Sequence, residues 1–337
     1  MSGSLVVLER KISGIVVSAG DTAEYANVIP LGTIDTFLKN NLSFQLPLAP
    51  ESQELMDAAY SGDEKRFYKL LESIGDPNTT DAYGSVALER VATTYNNFFK
   101  FLELTQLTDA NGNIPDSACH IWTKTRVRMA KSLLAAGANV DGPVGASWTP
   151  LMSAVTADSQ CDNTAMVEVL LDKGAEPNHL VTNRLSRSTS VRSPLMMAVE
   201  AGPVATVKSL LAHGANASLA ANAWSGDDLT PLFALAVDPD PTLDRSGLLI
   251  SSNQGCWSTD NANTEKFRLL LPHTKLSSVL GPRDDYRTRD YVGMTVRGVL
   301  EKRLGGGCNF STCDGQGRAG EDRCLERLLG ALLGVAP

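Results

Sequence analysis

Two short strings that recur at fixed spacing constrain this chain more than any other feature of its sequence. The first is a pair of leucines followed by two residues and Gly-Ala, and its copies have their glycine at Gly137, Gly174 and Gly214. Each copy ends an amphipathic stretch, so the glycine stands where a helix ends in the left-handed conformation. The first string therefore predicts three helix C-termini.

The second string marks helix starts. It is Ser or Thr followed by Pro and Leu, and its copies begin at Thr149, Ser193 and Thr230. The hydroxyl caps the first turn of a helix, and Pro at the first helical position costs no hydrogen bond. Ser193 precedes Gly214 by 21 residues, and Gly137 precedes Thr149 by 12. A start, two short helices, a glycine stop and a loop thus recur as one helix-turn-helix repeat.

This pattern resembles the ankyrin repeat, whose units of about 33 residues begin with Thr-Pro-Leu-His and end with Leu-Leu-x-x-Gly-Ala. The resemblance extends over residues 51–333 and implies an all-α solenoid of about six stacked repeats. Met152, Met196 and Phe233 replace the histidine of the family's start string, so the repeats are divergent.

The predicted repeat array is longer than its repeats require. About six repeats need only about 200 residues, and the excess over residues 51–333 predicts insertions near 95–124, 178–192, 238–263 and 305–322. Long loops in a compact array are uncommon and tend to be functional.

Residues 1–50 do not fit the repeat and are predicted to be a capping segment. Leu5–Leu8 and residues 12–17 are rich in residues that favour strands and predict a β-hairpin, while 34–42 predicts a short helix. Because the end of a repeat array needs a polar cover, we expect this segment to cap the first repeat.

Charge and hydropathy exclude several classes of protein. The chain has 30 Lys and Arg against 38 Asp and Glu, a net charge of −8, whereas nucleic-acid binders carry basic surfaces. No apolar run of about 18 residues predicts a membrane-spanning helix. The six cysteines are too thinly spread to resemble a small disulfide-stapled secreted domain. These features predict a cytoplasmic protein, with the nucleus as an alternative.

The sequence contains no recognisable catalytic motif. Phosphate-binding loops, dinucleotide fingerprints, metalloprotease His-Glu-x-x-His and Gly-x-Ser-x-Gly strings are all absent. Cys308, Cys313 and Cys324 form the one metal-like cluster, but no nearby histidine supplies the fourth zinc ligand. We therefore predict neither a metal nor another cofactor.

The first functional hypothesis is a non-catalytic adaptor or scaffold. The resemblance to ankyrin arrays implies that the concave face and the finger loops contact a protein or peptide, and arginines on the fingers favour an acidic partner. The predicted contact residues are Tyr83, Trp148, Arg184, Arg187, Arg192, Met197 and Asp228.

The alternative is an enzyme or small-molecule-binding protein whose insertions roof a pocket over the groove. The candidate pocket residues carry titratable or aromatic groups and are His120, Trp257, Asp284, Tyr286, Arg287 and Tyr291. A third hypothesis is an exported effector that binds host factors, although no export signal is recognisable.

Overall fold

A computed structural model of the chain describes residues 5–8, 11–19, 26–30, 50–81, 84–93, 97–107, 114–115, 117–143, 148–155, 161–183, 190–222, 228–237, 262–281, 291–306 and 326–334. The chain divides into two compact units, Met1–Ala146 and Ser147–Pro337, called unit 1 and unit 2 below. Among the described residues, no helix combines the length and apolar character needed to cross a membrane.

Unit 1 begins with a three-stranded antiparallel sheet in the order β1, β2, β3. The strands are β1 (Leu5–Leu8), β2 (Lys11–Ala19) and β3 (Ala26–Pro30). The predicted hairpin coincides with β1 and β2, which pair directly. The sequence analysis missed β3 because Asn and Pro, both poor strand formers, occur within its five residues. The helix predicted at 34–42 lies outside the described residues.

Five helices follow the sheet in the part of unit 1 that the structure describes. They are α1 (Pro50–Ser61), α2 (Glu64–Ile74), α3 (Ala87–Ala92), α4 (Asn97–Thr105) and α5 (Ser117–Ala135). Helices α1 and α3 pack side by side as the inner helices of two repeats, and α2 packs against α5 as the outer ones. Helix α4 is extra to the repeat pattern and packs on α1 and α5.

Helix α5 is longer than the repeat pattern predicts. The amphipathic stretch of the second repeat begins at Val127, but α5 begins ten residues earlier, at Ser117. The additional turns bury Trp122, and the centre of its ring lies 4.9 Å from the centre of the Phe101 ring on α4. The extension therefore forms the surface on which the inserted helix α4 packs.

The described residues of unit 2 form three inner and outer helix pairs and the start of a fourth. They are α6 (Pro150–Val155) with α7 (Thr164–Asp172), α8 (Pro194–Ala201) with α9 (Val204–Ala212), α10 (Pro231–Val237) with α11 (Ala262–Leu270), and α12 (Val296–Gly306), which precedes helical residues 326–333. The inner helices α6, α8, α10 and α12 pack in succession, and so do the outer helices α7, α9 and α11. Unit 2 is thus a helical repeat structure.

Both sequence signals are confirmed at the residues that carry them. Gly174 and Gly214 have φ of +87° and +86°, in the left-handed region. The amide of Ala215 donates to the carbonyl of Leu210 at 2.9 Å, which is the outer hydrogen bond of a Schellman motif. At the other end of a repeat, the Ser193 hydroxyl accepts the amide of the third helical residue of α8 at 3.2 Å.

Hairpins called fingers project between the repeats of unit 2. In the first finger β4 (Val181–Asn183) pairs with β5 (Ser190–Arg192), and in the second β6 (Ala221–Asn222) pairs with β7 (Asp228–Leu229). The first finger lies within the insertion predicted at 178–192. This extra sequence therefore lengthens a finger.

Asparagine side chains connect the base of one finger to the base of the next. The Asn178 amide donates to the carbonyl of Gly214 at 3.1 Å, and its oxygen accepts the amide of Asn216 at 2.7 Å. In unit 1, Asn78 donates to the carbonyl of Gly137 at 3.1 Å in the same way. These side chains satisfy backbone groups that the loops leave open, and they hold neighbouring loops in register.

The described cysteines differ from the sequence-based expectation. Cys119 on α5 and Cys161 just before α7 are both disulfide-bonded, and the other four cysteines lie outside the described residues. The wide spacing of the cysteines obscured this, because disulfide partners are set by the fold and not by distance along the chain.

We expect Gly214→Ala to destabilise the protein. Nothing lies within 4 Å of the added methyl group, but the φ of +86° strains any residue with a Cβ, at a cost of about 1–2 kcal/mol. Gly298→Ala in α12 is the matched control, since its φ is not positive and helical alanine is favoured by about 0.5–1 kcal/mol. Urea unfolding measures the free energy of unfolding of both variants. An equal decrease in the two would contradict the role assigned to Gly214.

Thiol labelling tests the disulfides. In denaturant without reductant, iodoacetamide should leave Cys119 and Cys161 unmodified, and both should react after reduction because only free thiolates are alkylated. Peptide mass spectrometry distinguishes the two states. Labelling of either residue before reduction would show that it is a free thiol.

Candidate protein-binding surface

Three inner helices of unit 2 are buried on every side. All six residues of α6 and all seven of α10 are buried, as are residues 193–200 around α8. Met197, predicted as a partner contact, is only 2% exposed. That prediction is wrong, because a helix that is apolar all round packs inside the fold and has no contact surface. The described side chains of α6 and α10 therefore supply no open concave surface.

Four of the five exposed large apolar side chains described in unit 2 lie in loops that join one helix pair to the next. Leu180 at the start of the first finger is 41% exposed, and Leu276, Val279 and Val292 between α11 and α12 are 44%, 56% and 39% exposed. The last three occupy the loop that corresponds to a finger in the next repeat, between α11 and α12, and are called the finger patch. Clustered exposed apolar residues in a water-soluble fold mark interaction sites more often than scattered ones do.

Backbone hydrogen bonds hold the finger patch together. The Leu280 amide donates to the carbonyl of Met294 at 2.9 Å, and the Gly293 amide donates to the carbonyl of Leu280 at 2.8 Å. Val279 and Val292, the residues that precede Leu280 and Gly293, therefore lie on adjoining chain segments. Leu280 itself is 3% exposed and anchors the loop in the core.

The segment around the finger patch is basic, although the chain is acidic. Residues 271–306 contain seven Lys and Arg against four Asp and Glu, whereas the whole chain has a net charge of −8. Lys275, next to Leu276, is exposed. The ammonium group of Lys302 lies 5.5 Å from the centre of the Tyr291 ring. The patch thus combines an apolar surface with positive charge.

Trp148 is held against the start of α6. Its indole N–H donates to the Ser153 hydroxyl at 2.8 Å, and its side chain stays half-buried. The adjoining Thr149 hydroxyl accepts the amide of Met152 at 3.3 Å and caps the helix. The exposed part of the ring is therefore a rigid apolar surface, as a contact residue requires.

The structure describes few of the other predicted contact residues. The backbone of Arg192 ends β5 and that of Asp228 begins β7. Tyr83, Arg184 and Arg187 lie outside the described residues.

Of the residues of the alternative pocket, the part of the chain that the structure describes contains only His120 and Tyr291. His120 is exposed on α5 in unit 1, and Tyr291 is half-buried in unit 2. The remaining pocket residues lie outside that part and are Trp257, Asp284, Tyr286 and Arg287. Across the described ranges, no group of three His, Cys, Asp or Glu side chains is arranged to hold a metal ion.

Two arginines of α5 connect it to neighbouring helices. Arg126 is 1% exposed and donates to the carbonyls of Val91 and Ala92 at 2.7 and 2.6 Å, at the end of α3. Arg128 forms a two-pronged ion pair with Glu64 of α2, at 2.8 and 2.6 Å. Both guanidinium groups therefore join neighbouring helices.

Buried polar side chains of other repeats also cap the inner helices. Asn163, just before α7, donates to the carbonyl of Ala154 on α6 at 2.8 Å. Lys266 on α11 is 1% exposed and donates to the carbonyl of Val199 on α8 at 3.0 Å. Burial lowers the pKa of Lys266 to about 8. Sequence reasoning missed these residues, although Arg126 and Asn163 both stand seven residues before the first leucine of the stop string.

Comparison with known families agrees with this architecture. Residues 127–221 match the family model of ankyrin repeats in three copies, a range that runs from α5 to the start of the second finger. This segment of the chain is therefore an ankyrin repeat region. No curated protein matches the chain.

Lys266 should make stability depend on pH in the alkaline range. Its pKa in the folded protein, about 8, lies below the ordinary value of 10.5. Between these two pH values the unfolded chain therefore binds the proton more tightly than the folded protein does. The free energy of unfolding should therefore rise by up to about 3 kcal/mol from pH 8 to 10.5. Lys266→Met should lack this rise, while Lys173→Met, at an exposed lysine, should keep it. The free energy of unfolding is measured with urea at each pH. If it changes with pH in the same way for wild type and Lys266→Met, the lowered pKa assigned to Lys266 is contradicted.

Proposed function

We propose that this chain is a non-catalytic protein-binding module, an adaptor or scaffold, whose finger side in unit 2 contacts a partner. Ankyrin repeats are generally protein–protein interaction modules, and the observation that carries the proposal is the exposed apolar finger patch. The inner helices α6, α8 and α10 are buried, so the proposed contact lies on the fingers instead of on these helices.

The proposed partner is a protein or peptide segment that carries acidic and apolar residues. Leu276, Val279 and Val292 supply apolar area, and the exposed Lys275 beside them supplies positive charge. Because the rest of the chain is acidic on balance, a carboxylate-bearing segment is attracted to this region more than to the average surface.

Further anchors are proposed outside the finger patch. The half-buried, hydrogen-bonded Trp148 has the character of an interface hot spot, since rigid aromatic side chains lose little entropy on binding. Arg184, Arg187, Arg192, Tyr83 and Asp228, predicted from the sequence, remain proposed contacts.

The disulfide bonds of Cys119 and Cys161 bear on where this module works. Disulfides persist in oxidising compartments and are rare in the cytosol. They favour an oxidising compartment over the cytoplasm or nucleus predicted from the sequence.

Selection from a random library of displayed 12-residue peptides tests the binding surface. The full chain should enrich peptides that combine Asp or Glu with large apolar residues. Val279→Asp and Leu276→Asp should weaken these peptides about ten- to hundredfold, because a buried carboxylate would then stand in the interface. Binding is measured by fluorescence anisotropy with the selected peptides.

Leu333→Asp is the matched control, since Leu333 is 49% exposed and is not one of the three residues of the finger patch. It should leave the affinity unchanged. Enriched peptides without acidic residues would contradict the proposed partner chemistry, and equal binding to Val279→Asp would place the contact elsewhere.

A further inference from the structure

The outward side of helix α5 in unit 1 carries a row of cations that the proposed finger contact does not use. Lys124, Arg128 and Lys131 follow one another at intervals of four and three residues, so they share one side of the helix. All three are exposed, whereas Met129 and Leu133 on the opposite side of α5 are buried. The row of cations therefore points away from the core.

Helix α2 adds two lysines beside this row. Lys65 and Lys69 are one helical turn apart and exposed, while Phe67 is buried on the other side of α2. Neither lysine forms an ion pair with another described residue, and the same holds for Lys124 and Lys131. Four ammonium groups of these two helices are therefore not neutralised by a carboxylate in direct contact.

Two contacts set the register of α2 and α5. Arg128 forms its ion pair with Glu64 at the start of α2, and beyond the other ends of both helices Asn78 donates to the carbonyl of Gly137. The two helices therefore run in the same direction. The lysines of α2 come level with Lys131, and at a rise of about 1.5 Å per residue the cations occupy about 10–15 Å along the helices. They are called the basic face and are Lys65, Lys69, Lys124, Arg128 and Lys131.

The basic face is not a general property of the outer helices. Counted from the first leucine of the stop string, Lys131 corresponds to Glu168 on α7. Between α9 and α11, Lys208 is neutralised by Glu265 at 2.6 Å. In a chain with a net charge of −8, the local excess of positive charge on α2 and α5 attracts anions.

The surroundings of the basic face favour a short anionic segment over a large anionic surface. Glu72 is exposed on the same side of α2, three residues after Lys69. Arg66, next to Lys65, is paired with Glu54 of α1 at 3.0 Å. Because carboxylates border the cations, a bilayer or a nucleic acid that extends past the basic face would meet like charge. An extended peptide advances about 3.3 Å per residue, so about four residues span the face.

We infer that the basic face binds a short run of consecutive Asp or Glu residues in a partner protein. The carboxylates of this run pair with the four lysines. Arg128 stays paired with Glu64 and holds α5 against α2, so the lysines of both helices keep their spacing. Proteins are the partners that ankyrin repeats generally bind, and the family match begins at residue 127 of α5. This contact lies in unit 1 and is independent of the finger patch in unit 2.

Fluorescence anisotropy of labelled hexaglutamate with the full chain tests the inference. The peptide should bind in about 50 mM NaCl and more weakly in about 300 mM NaCl, because salt screens exposed charges. The triple variant Lys65→Gln/Lys69→Gln/Lys131→Gln should weaken binding about tenfold, since three exposed ion pairs are lost. Hexaglutamine has the same length without the charge and should not bind.

A second triple variant is the matched control. Lys173→Gln/Lys208→Gln/Arg268→Gln removes the same charge from exposed positions of unit 2 and should leave the affinity for hexaglutamate unchanged. Equal weakening by both triple variants would show an effect of net charge alone and would overturn the inference. Absence of hexaglutamate binding to the wild type would overturn it as well.

Two further measurements separate this contact from other sites and occupants. If Lys275→Gln weakens hexaglutamate binding and the triple variant of the basic face does not, the acidic run binds at the fingers and the inference is wrong. If phosphatidylserine vesicles bind through the basic face and hexaglutamate does not, the occupant is a lipid surface and the inference is also wrong. Far-UV circular dichroism controls for folding, and because all the substituted residues are exposed, the spectra should match that of the wild type.

Discussion

The short inner helices impose the constraint on which the rest of the structure depends. Helices α3 and α6 have six residues each, and an α-helix leaves its last four carbonyls without partners inside the helix. In so short a helix most of the backbone acceptors are therefore orphaned. Buried polar side chains satisfy some of them: Arg126 does so for α3, Asn163 for α6 and Lys266 for α8.

These capping contacts explain why charged groups occur in an apolar core. A buried cation loses its hydration, which the lowered pKa of Lys266 records. The negative end of a helix, with its unsatisfied carbonyls, partly compensates for that loss. Each cap also ties an outer helix to the end of an inner one. The inner helices can then be buried on every side, and the proposed contact surface lies on the loops between the helix pairs.

The repeat was predictable from the sequence because its signals are local. The stop glycine and the Ser-Pro-Leu start act within one helical turn, so the left-handed Gly214 and the capped start at Ser193 were found at the expected residues. The burial of Met197 depends on packing from all sides of α8, which a short string does not encode. The finger patch was missed because Leu276 and Val292 are far apart along the chain and belong to a repeat whose strings are degenerate.

The asparagine contacts between loops have a consequence for how such a protein changes over time. Asn178 clamps the base of one loop to the backbone of the next, and the strands of the first finger begin only after this clamp. Residues exchanged or inserted between β4 and β5 therefore leave the hydrogen bonds of Asn178 in place. New binding specificities can arise there by insertion or exchange of residues, and a protein engineer can use the same stretch as a cassette.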